Sequence, residues 1–428
     1  MKKTILSALS AAFLSALLLT GCGDDPNAIH YAILTGPAGI TGTALTELSK
    51  GIDQTATERT WRTQNYQSNS DDAGDFKAIF DKAAEDKVQY VVCQGTEMET
   101  PVYAAQEAHR GSKYILFDGA PRPQAGAEAE IRKNTMCVAY DASQMGFVAG
   151  YAAVKDGMRN VTFMTGSADS ASVAALTGFV NGVGYAAAEL GVGTDTITLN
   201  REYAGSRDLT PMRMADALKL YGAGTQLIVT DVENIATAVE QAASDAGAKV
   251  ATVGFDAASD SDAVLFSVIP DHAGSVEWLQ KQITDNRGWK GGSTVTCGAK
   301  QNGIEMASSY KGFSSYTASD TDSILKALAD GKAVAYQSDT DSKTESGSAA
   351  ASASMRGLTA QGAAVTITDT QPAAGNPQSG IGFTDSTPGT AEQRRNGWHG
   401  PGPGGSGSVP SGFILSDNLH DSDRYVLK

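Results

Sequence analysis

The run NVTFMT (Asn160–Thr165), then SVAALTGFVNGVGYAAAEL (Ser172–Leu190), then TDTITLNREY (Thr194–Tyr203) decides the fold. A short β-rich segment, a long helical one and a second β-rich segment form one strand–helix–strand unit. Strands joined through a helix lie parallel, because a tight turn cannot bring the chain back to the same end. The rhythm continues downstream with Pro211–Tyr221 as helix, Gln226–Thr230 as strand, Asn234–Ala246 as helix and Lys249–Phe255 as strand. Leu265–Ile269 and His272–Thr284 add a further pair. Thr294–Gly298 and Ile304–Ala307 are short late strands, and Thr321–Ala329 is a last helix.

Upstream the pattern repeats. Tyr31–Thr35, Trp61–Tyr66, Tyr90–Cys93, Tyr114–Phe117 and Thr135–Tyr140 read as strands, separated by helical Thr43–Thr57, Asp72–Glu85 and Thr100–Arg110; helix Gln144–Lys155 leads into the second set. Nearly continuous apolar strands are those covered on both faces. The sequence therefore predicts an α/β protein of two doubly wound, parallel-sheet lobes. The module spans 29–341, with lobe one at about 29–141 plus a late crossover segment and lobe two at about 142–307. Crossovers are expected near Asp141–Gln144, Phe255–Asp262 and Ser308–Tyr316. Residues 342–428, rich in Ser, Gly and Pro, are expected to form a flexible extension, with Ala363–Thr368 as a lone strand in it.

The 428 residues carry 48 acids and 33 bases, a formal charge of -15. Such a surface repels phosphate polymers, so nucleic acid is not an expected partner. Residues 1–21 pair Lys2 and Lys3 with the apolar run Ile5–Leu19, the layout of an export signal. The ending Leu19-Thr20-Gly21-Cys22 resembles a bacterial lipobox, which implies acylation of Cys22, a short tether over 22–28 and a protein held on the outer face of a membrane. Cys93, Cys137 and Cys297 sit in or beside apolar runs at no zinc spacing, and are expected as buried free thiols, although one disulfide of undetermined pairing is compatible with export.

Gly146-Phe147-Val148-Ala149-Gly150-Tyr151-Ala152-Ala153 resembles the G-F-L-A-G-Y-L-A helix of the basic membrane protein family of nucleoside-binding lipoproteins. Val161–Gly166, Val173–Gly182, Thr252–Asp256, Lys290–Gly292, Gly298–Ile304 and Tyr114–Gly119 resemble further segments of that family in the same order. The resemblance implies the type I periplasmic-binding fold and no enzymatic activity. It implies capture of a small polar solute, with a purine or other nucleoside as the expected ligand, by hinge closure, and delivery to an ABC permease and its ATPase. A sensor feeding a membrane receptor, or a binding protein for a sugar, are the alternatives. One motif departs: where the family carries G-x-x-D-D-x-S-F-N, this chain has Thr41 and Gly42 for the acids, Leu45 for the stacking ring and Thr46 for the asparagine.

Ligands of open α/β sheets bind beyond the carboxyl ends of the strands. The loops there are Thr35–Thr41, Gln94–Glu97, Asp118–Gly119, Gly166–Ser172, Tyr203–Ser206, Asp231–Asn234 and Asp256–Ser259. Carboxylates in them accept paired hydrogen bonds and suit a diol. Asp118 and Asp256, one per lobe, would hold sugar hydroxyls by the resemblance, and N-capping of helices is their structural alternative. Thr41, Tyr203, Asp231 and Lys300 complete the expected ligand set, Tyr203 as a replacement stacking ring, as Phe255 could also be. No catalytic constellation, metal-ligand spacing or phosphate loop is present in the sequence, so no cofactor is expected.

Overall fold

The computed structural model describes residues 29–166, 170–193, 196–203, 211–256, 261–284 and 288–335, with two strand segments at 366–369 and 425–426. The chain runs β1 (His30–Thr35), α1 (Gly42–Arg59), β2 (Arg62–Gln67), α2 (Ala73–Glu85), β3 (Tyr90–Gln94), α3 (Glu99–Ala108), β4 (Lys113–Phe117) and β5 (Thr135–Tyr140). It continues through α4 (Ala142–Lys155), β6 (Asn160–Thr165), α5 (Ser170–Leu190), β7 (Thr198–Tyr203), α6 (Pro211–Gly222), β8 (Leu227–Thr230), α7 (Glu233–Ala246) and β9 (Lys249–Val253). It ends with β10 (Val264–Pro270), α8 (His272–Thr284), β11 (Ser293–Cys297), β12 (Ile304–Ala307), α9 (Ala318–Ala329), β13 (Thr366–Asp369) and β14 (Tyr425–Val426).

Two sheets form, in the orders β11-β5-β4-β3-β1-β2 and β12-β10-β9-β8-β6-β7-β13-β14. The first is parallel throughout. The second is parallel from β10 to β13, and β12 and β14 add antiparallel edges. Each sheet has an apolar cluster on each face, as two-sided helix cover demands. The polar strand β2 (RTQNYQ) takes the edge, where one face can stay wet. The expected α/β fold of two doubly wound lobes is what forms.

In the second lobe α4 and α5 pack backbone to backbone. A Cβ on Gly146 or Gly150 would overlap the Ala175 or Phe179 carbonyl; one on Gly178 or Gly182 would overlap that of Ser143 or Phe147. The glycines of the family-like motif are thus explained by helix contact. The close approach buries Phe147, Phe179 and Val183 completely or nearly so. Asp141 caps α4, its carboxylate accepting from Gln144 N at 3.1 Å.

The first crossover lies at Asp141, as expected. The other two do not lie at Phe255–Asp262 and Ser308–Tyr316. Helix α8 leaves β10 and returns to the first lobe, where Ala273 and Val276 close on Gly51 of α1. Strand β11 then joins β5, and β12 goes back to β10. The crossovers are therefore Asp271 and Gly298–Gly303, so α8 and β11 belong to lobe one. Backbone bonds bundle the three crossings: Asp141 N donates to Cys297 O at 3.0 Å and Asp271 N to Gly303 O at 3.1 Å. Ala299 N donates to Gln144 Oε1 at 2.9 Å across them.

Cys93, Cys137 and Cys297 are buried and unpaired. Desolvation raises all three thiols, Cys137 and Cys297 to about 12. Beyond 335, strand β13 pairs parallel to β7 and antiparallel to β14, close to the expected lone strand; the rest of the extension lies outside the described residues.

Candidate ligand-binding site

Parallel pairing places every strand end of the first sheet on one side, and there the loops after β3 and β4 meet the start of α8. Asp118 follows β4 with φ 54, a left-handed conformation that turns the chain sharply out of the strand. Its amide donates to Val138 O at 3.0 Å, which holds the turn against β5. Gln94 Nε2 donates to Asp118 Oδ2 at 3.2 Å, and His272 Nε2 lies 3.3 Å from the same oxygen. Two protein donors thus converge on Oδ2, while the Asp118 side chain stays 35% exposed. That arrangement fixes the carboxylate and leaves Oδ1 to accept from a bound solute. No helix follows Asp118, so it is not an N-cap.

His272 is held in turn. Its side chain is 10% exposed and its ring meets the edge of Tyr140 at 4.9 Å between centroids. Tyr140 Oη and Ser275 Oγ are 3.0 Å apart, tying β5 to α8. The imidazole is therefore placed by both the strand end and the second crossover.

In the second lobe Thr165 Oγ1 donates to Asp231 Oδ2 at 3.1 Å, joining the ends of β6 and β8. Thr230 Oγ1 accepts from Val232 N at 3.1 Å, so α7 starts without Asp231 as its cap. Asp256 is exposed beyond β9, and among the described residues the next element is strand β10, with no helix for it to cap. Its negative charge reaches Glu305 on β12. Partial desolvation, then repulsion from Asp271, Glu47 and Asp256, holds the carboxyl of the surface residue Glu305 above the usual range. Burial likewise raises Asp271. The crossovers thus lie in a negative field fed by both lobes.

The remaining predicted residues divide. Thr41 is exposed at the N-cap position of α1 with no capping bond, so its hydroxyl is open to a ligand. Leu45 packs on the first-lobe core and offers no ring to the cleft. Lys300 is exposed in the turn of the third crossover, at the exit end of β11, and makes no ion pair among the described residues. Phe255 is half-buried, its carbonyl accepting from Thr252 Oγ1 at 2.8 Å. The Tyr203 side chain, residues 167–169, 204–210 and 257–260, and Cys22 lie outside the described residues. The structure brings Asp118 together with His272 and Gln94; it places Asp231 on Thr165, and Asp256 within the field of Glu305. Gln94 stood in a predicted loop, whereas His272 drew no functional signal. A hollow lined by Asp156, Tyr221, Lys249 and Ser314 lies at the strand-entry end of lobe two, away from these groups. Among the described residues no cluster fits a metal ion.

A family model described as "ABC transporter substrate-binding protein PnrA-like" (Bmp) matches residues 38–333. An ABC transporter system solute-binding protein from Conexibacter woesei superposes with a TM-score of 0.52 at 18% identity, covering 71% of this chain and 97% of that one. A transcriptional activator of the comK gene from Bacillus halodurans gives 0.50 at 13% identity, over 71% and 98%. At these identities the likeness is one of fold. No curated protein sequence matches the chain at a significant level.

Proposed function

The chain belongs to the PnrA-like family of ABC transporter substrate-binding proteins, and from that premise we propose that it captures a nucleoside between its lobes. The family is extracytoplasmic, non-enzymatic and works with a membrane permease. The observation that carries the nucleoside reading is the Asp118 carboxylate, locked through one oxygen by Gln94 and His272, which leaves the other to accept from a diol. Asp256 would supply the second-lobe acceptor, Thr41 and Asp231 further polar contacts, and Tyr203 a stacking ring. Lys300, in the third crossover, would approach the solute on closure. Closing two lobes about bundled crossovers is a hinge motion.

One feature favours a second reading. With Leu45 in the core and Thr41 and Gly42 in place of acids, the first loop offers no stacking face and no carboxylate. A sugar needs diol acceptors and not that particular loop. A thermal-shift panel of ribonucleosides, free bases and hexoses separates the two, since a ligand binding only the folded state raises Tm by mass action. A shift with ribonucleosides alone supports the first reading; a shift with hexoses alone replaces it.

Lipid attachment at Cys22 belongs to the same proposal. Acyl chains gain about 0.8 kcal/mol per buried methylene, and two or more anchor a chain stably. Radiolabelled palmitate should enter the wild-type protein and not the Cys22→Ser variant. Equal labelling of both would remove Cys22 as the anchor.

A further inference from the structure

The end of lobe one opposite the ligand loops carries a surface with a composition of its own. All six strands of that sheet run parallel, so the loops entering them share one rim. Those loops present Arg59, Arg62, Lys87, Lys113, Lys133 and Lys290, five exposed and Lys113 half-buried. Arg110 and Arg132 lie there too, but both pair with Glu107. None of the six makes an ion pair among the described residues. Asp86 there is engaged by Lys82 and Tyr66, while Glu58 and Glu85 are exposed acids at the helix ends beside it. In a chain of formal charge -15, this is a rim where cations outnumber acids.

Aromatic rings back the cations, Tyr31 and Tyr90 buried in the first-lobe core and Trp61 and Trp289 half-buried against it. Trp61, Tyr31 and Tyr90 stack in sequence at 5.4 and 4.8 Å, and Trp289 meets the edge of Tyr90 at 6.2 Å. Arg59 lies over Trp61 at 5.4 Å, and Lys113 over both Tyr90 and Trp289 at 5.1 and 5.0 Å. Trp289 Nε1 donates to Lys133 O at 2.9 Å, joining the row to the next loop. Tryptophan with basic side chains is a composition suited to a membrane interface, the rings at headgroup depth and the cations on anionic lipid.

The chain also enters the fold here. Arg62 N donates to Ile29 O at 2.9 Å, so the start of β1 lies in the rim. Between Cys22 and Ile29 stand six residues, whose fully extended reach is at most about 25 Å. We propose that this rim is a membrane-docking face that seats lobe one on anionic lipid, so that the ligand loops point away from the bilayer. The proposal rests on acylation of Cys22 for its proximity argument, while the charge and aromatic pattern stand without it.

The test takes the purified mature protein with vesicles of phosphatidylcholine, alone or mixed equally with phosphatidylglycerol, and reads tryptophan quenching by brominated lipid. Quenching is expected in the mixed vesicles only. It should fall when Trp61 and Trp289 are both replaced by Phe. The pair Lys133→Glu and Lys290→Glu should abolish it, although palmitate labelling and the melting curve stay unchanged. Lysine near an anionic surface strengthens binding about fivefold per residue, so the double reversal should lower the docking equilibrium of the rim, read as quenching, at least tenfold. Equal quenching in both vesicle types, none in either, or a charge-reversed variant that loses permease co-purification but keeps its quenching, overturns the proposal. If palmitate is not incorporated, the anchor reading fails separately. Co-sedimentation of the same secreted chain with the two vesicle types then decides the rim: phosphatidylglycerol-dependent binding lost on charge reversal supports it, and no binding overturns it.

Discussion

His272 and Asp118 show how one side chain gains a role from its neighbours. The imidazole fixes the carboxylate that would hold the ligand, so His272 is a positioning residue. His272→Phe keeps a ring against Tyr140 and removes the donor; His272→Gln supplies an amide donor in its place. A hydrogen bond to a charged group contributes about 1.5–3 kcal/mol. Affinity for the solute identified by thermal shift should therefore fall about tenfold in the Phe variant and recover in the Gln variant, by calorimetric titration. Equal affinities in all three would leave His272 a packing residue. Asp118 was readable in the sequence as an acid after a strand. His272 was not, because its position depends on where α8 goes, and nothing in its local sequence encodes that. At Glu305 the raised carboxyl gives a pH signature. Its folded form holds a proton more readily than the unfolded chain, so its contribution to stability is full below the ordinary value of 4.5 and is lost as pH rises through the folded value. Glu305→Gln should thus raise Tm at neutral pH, with the gain shrinking toward pH 4; a gain independent of pH would contradict that electrostatic account.

At the scale of elements the α4–α5 contact gives the sharpest contrast. Gly178→Ala sets a methyl against the Ser143 carbonyl, and two helix backbones cannot repack around it. Overpacking of this kind should cost about 3 kcal/mol or more, measured by urea unfolding. Gly74→Ala, on the exposed face of α2 with nothing within 4 Å, should stabilise by about 0.5 kcal/mol by restricting the unfolded chain. If both variants behave alike, close helix approach is not what those glycines serve. Strands and helices were legible in the sequence because most core strands are apolar runs, β7 (TLNREY) excepted, and the helices are bounded by polar or glycine-rich segments. The second and third crossovers were not. A strand followed by a helix looks the same whether the helix stays in its lobe or leaves it, and only the seat of α8 on Gly51 reveals the change.

For the whole molecule, two lobes joined by three short crossings are the architecture that the proposed capture by closure requires. The ends of the first sheet divide the labour: acids, Gln94 and His272 at the strand exits, cations and tryptophans at the entries. The comparison that bears most directly on this account is calorimetric titration of a ribonucleoside and its dideoxy counterpart into wild-type protein and Asp118→Ala. The account predicts one-to-one binding of the ribonucleoside to wild type. It predicts at least about a tenfold loss for the dideoxy compound, and a similar loss for Asp118→Ala with its melting curve intact. Asp118→Ala binding the ribonucleoside as tightly as wild type would contradict it.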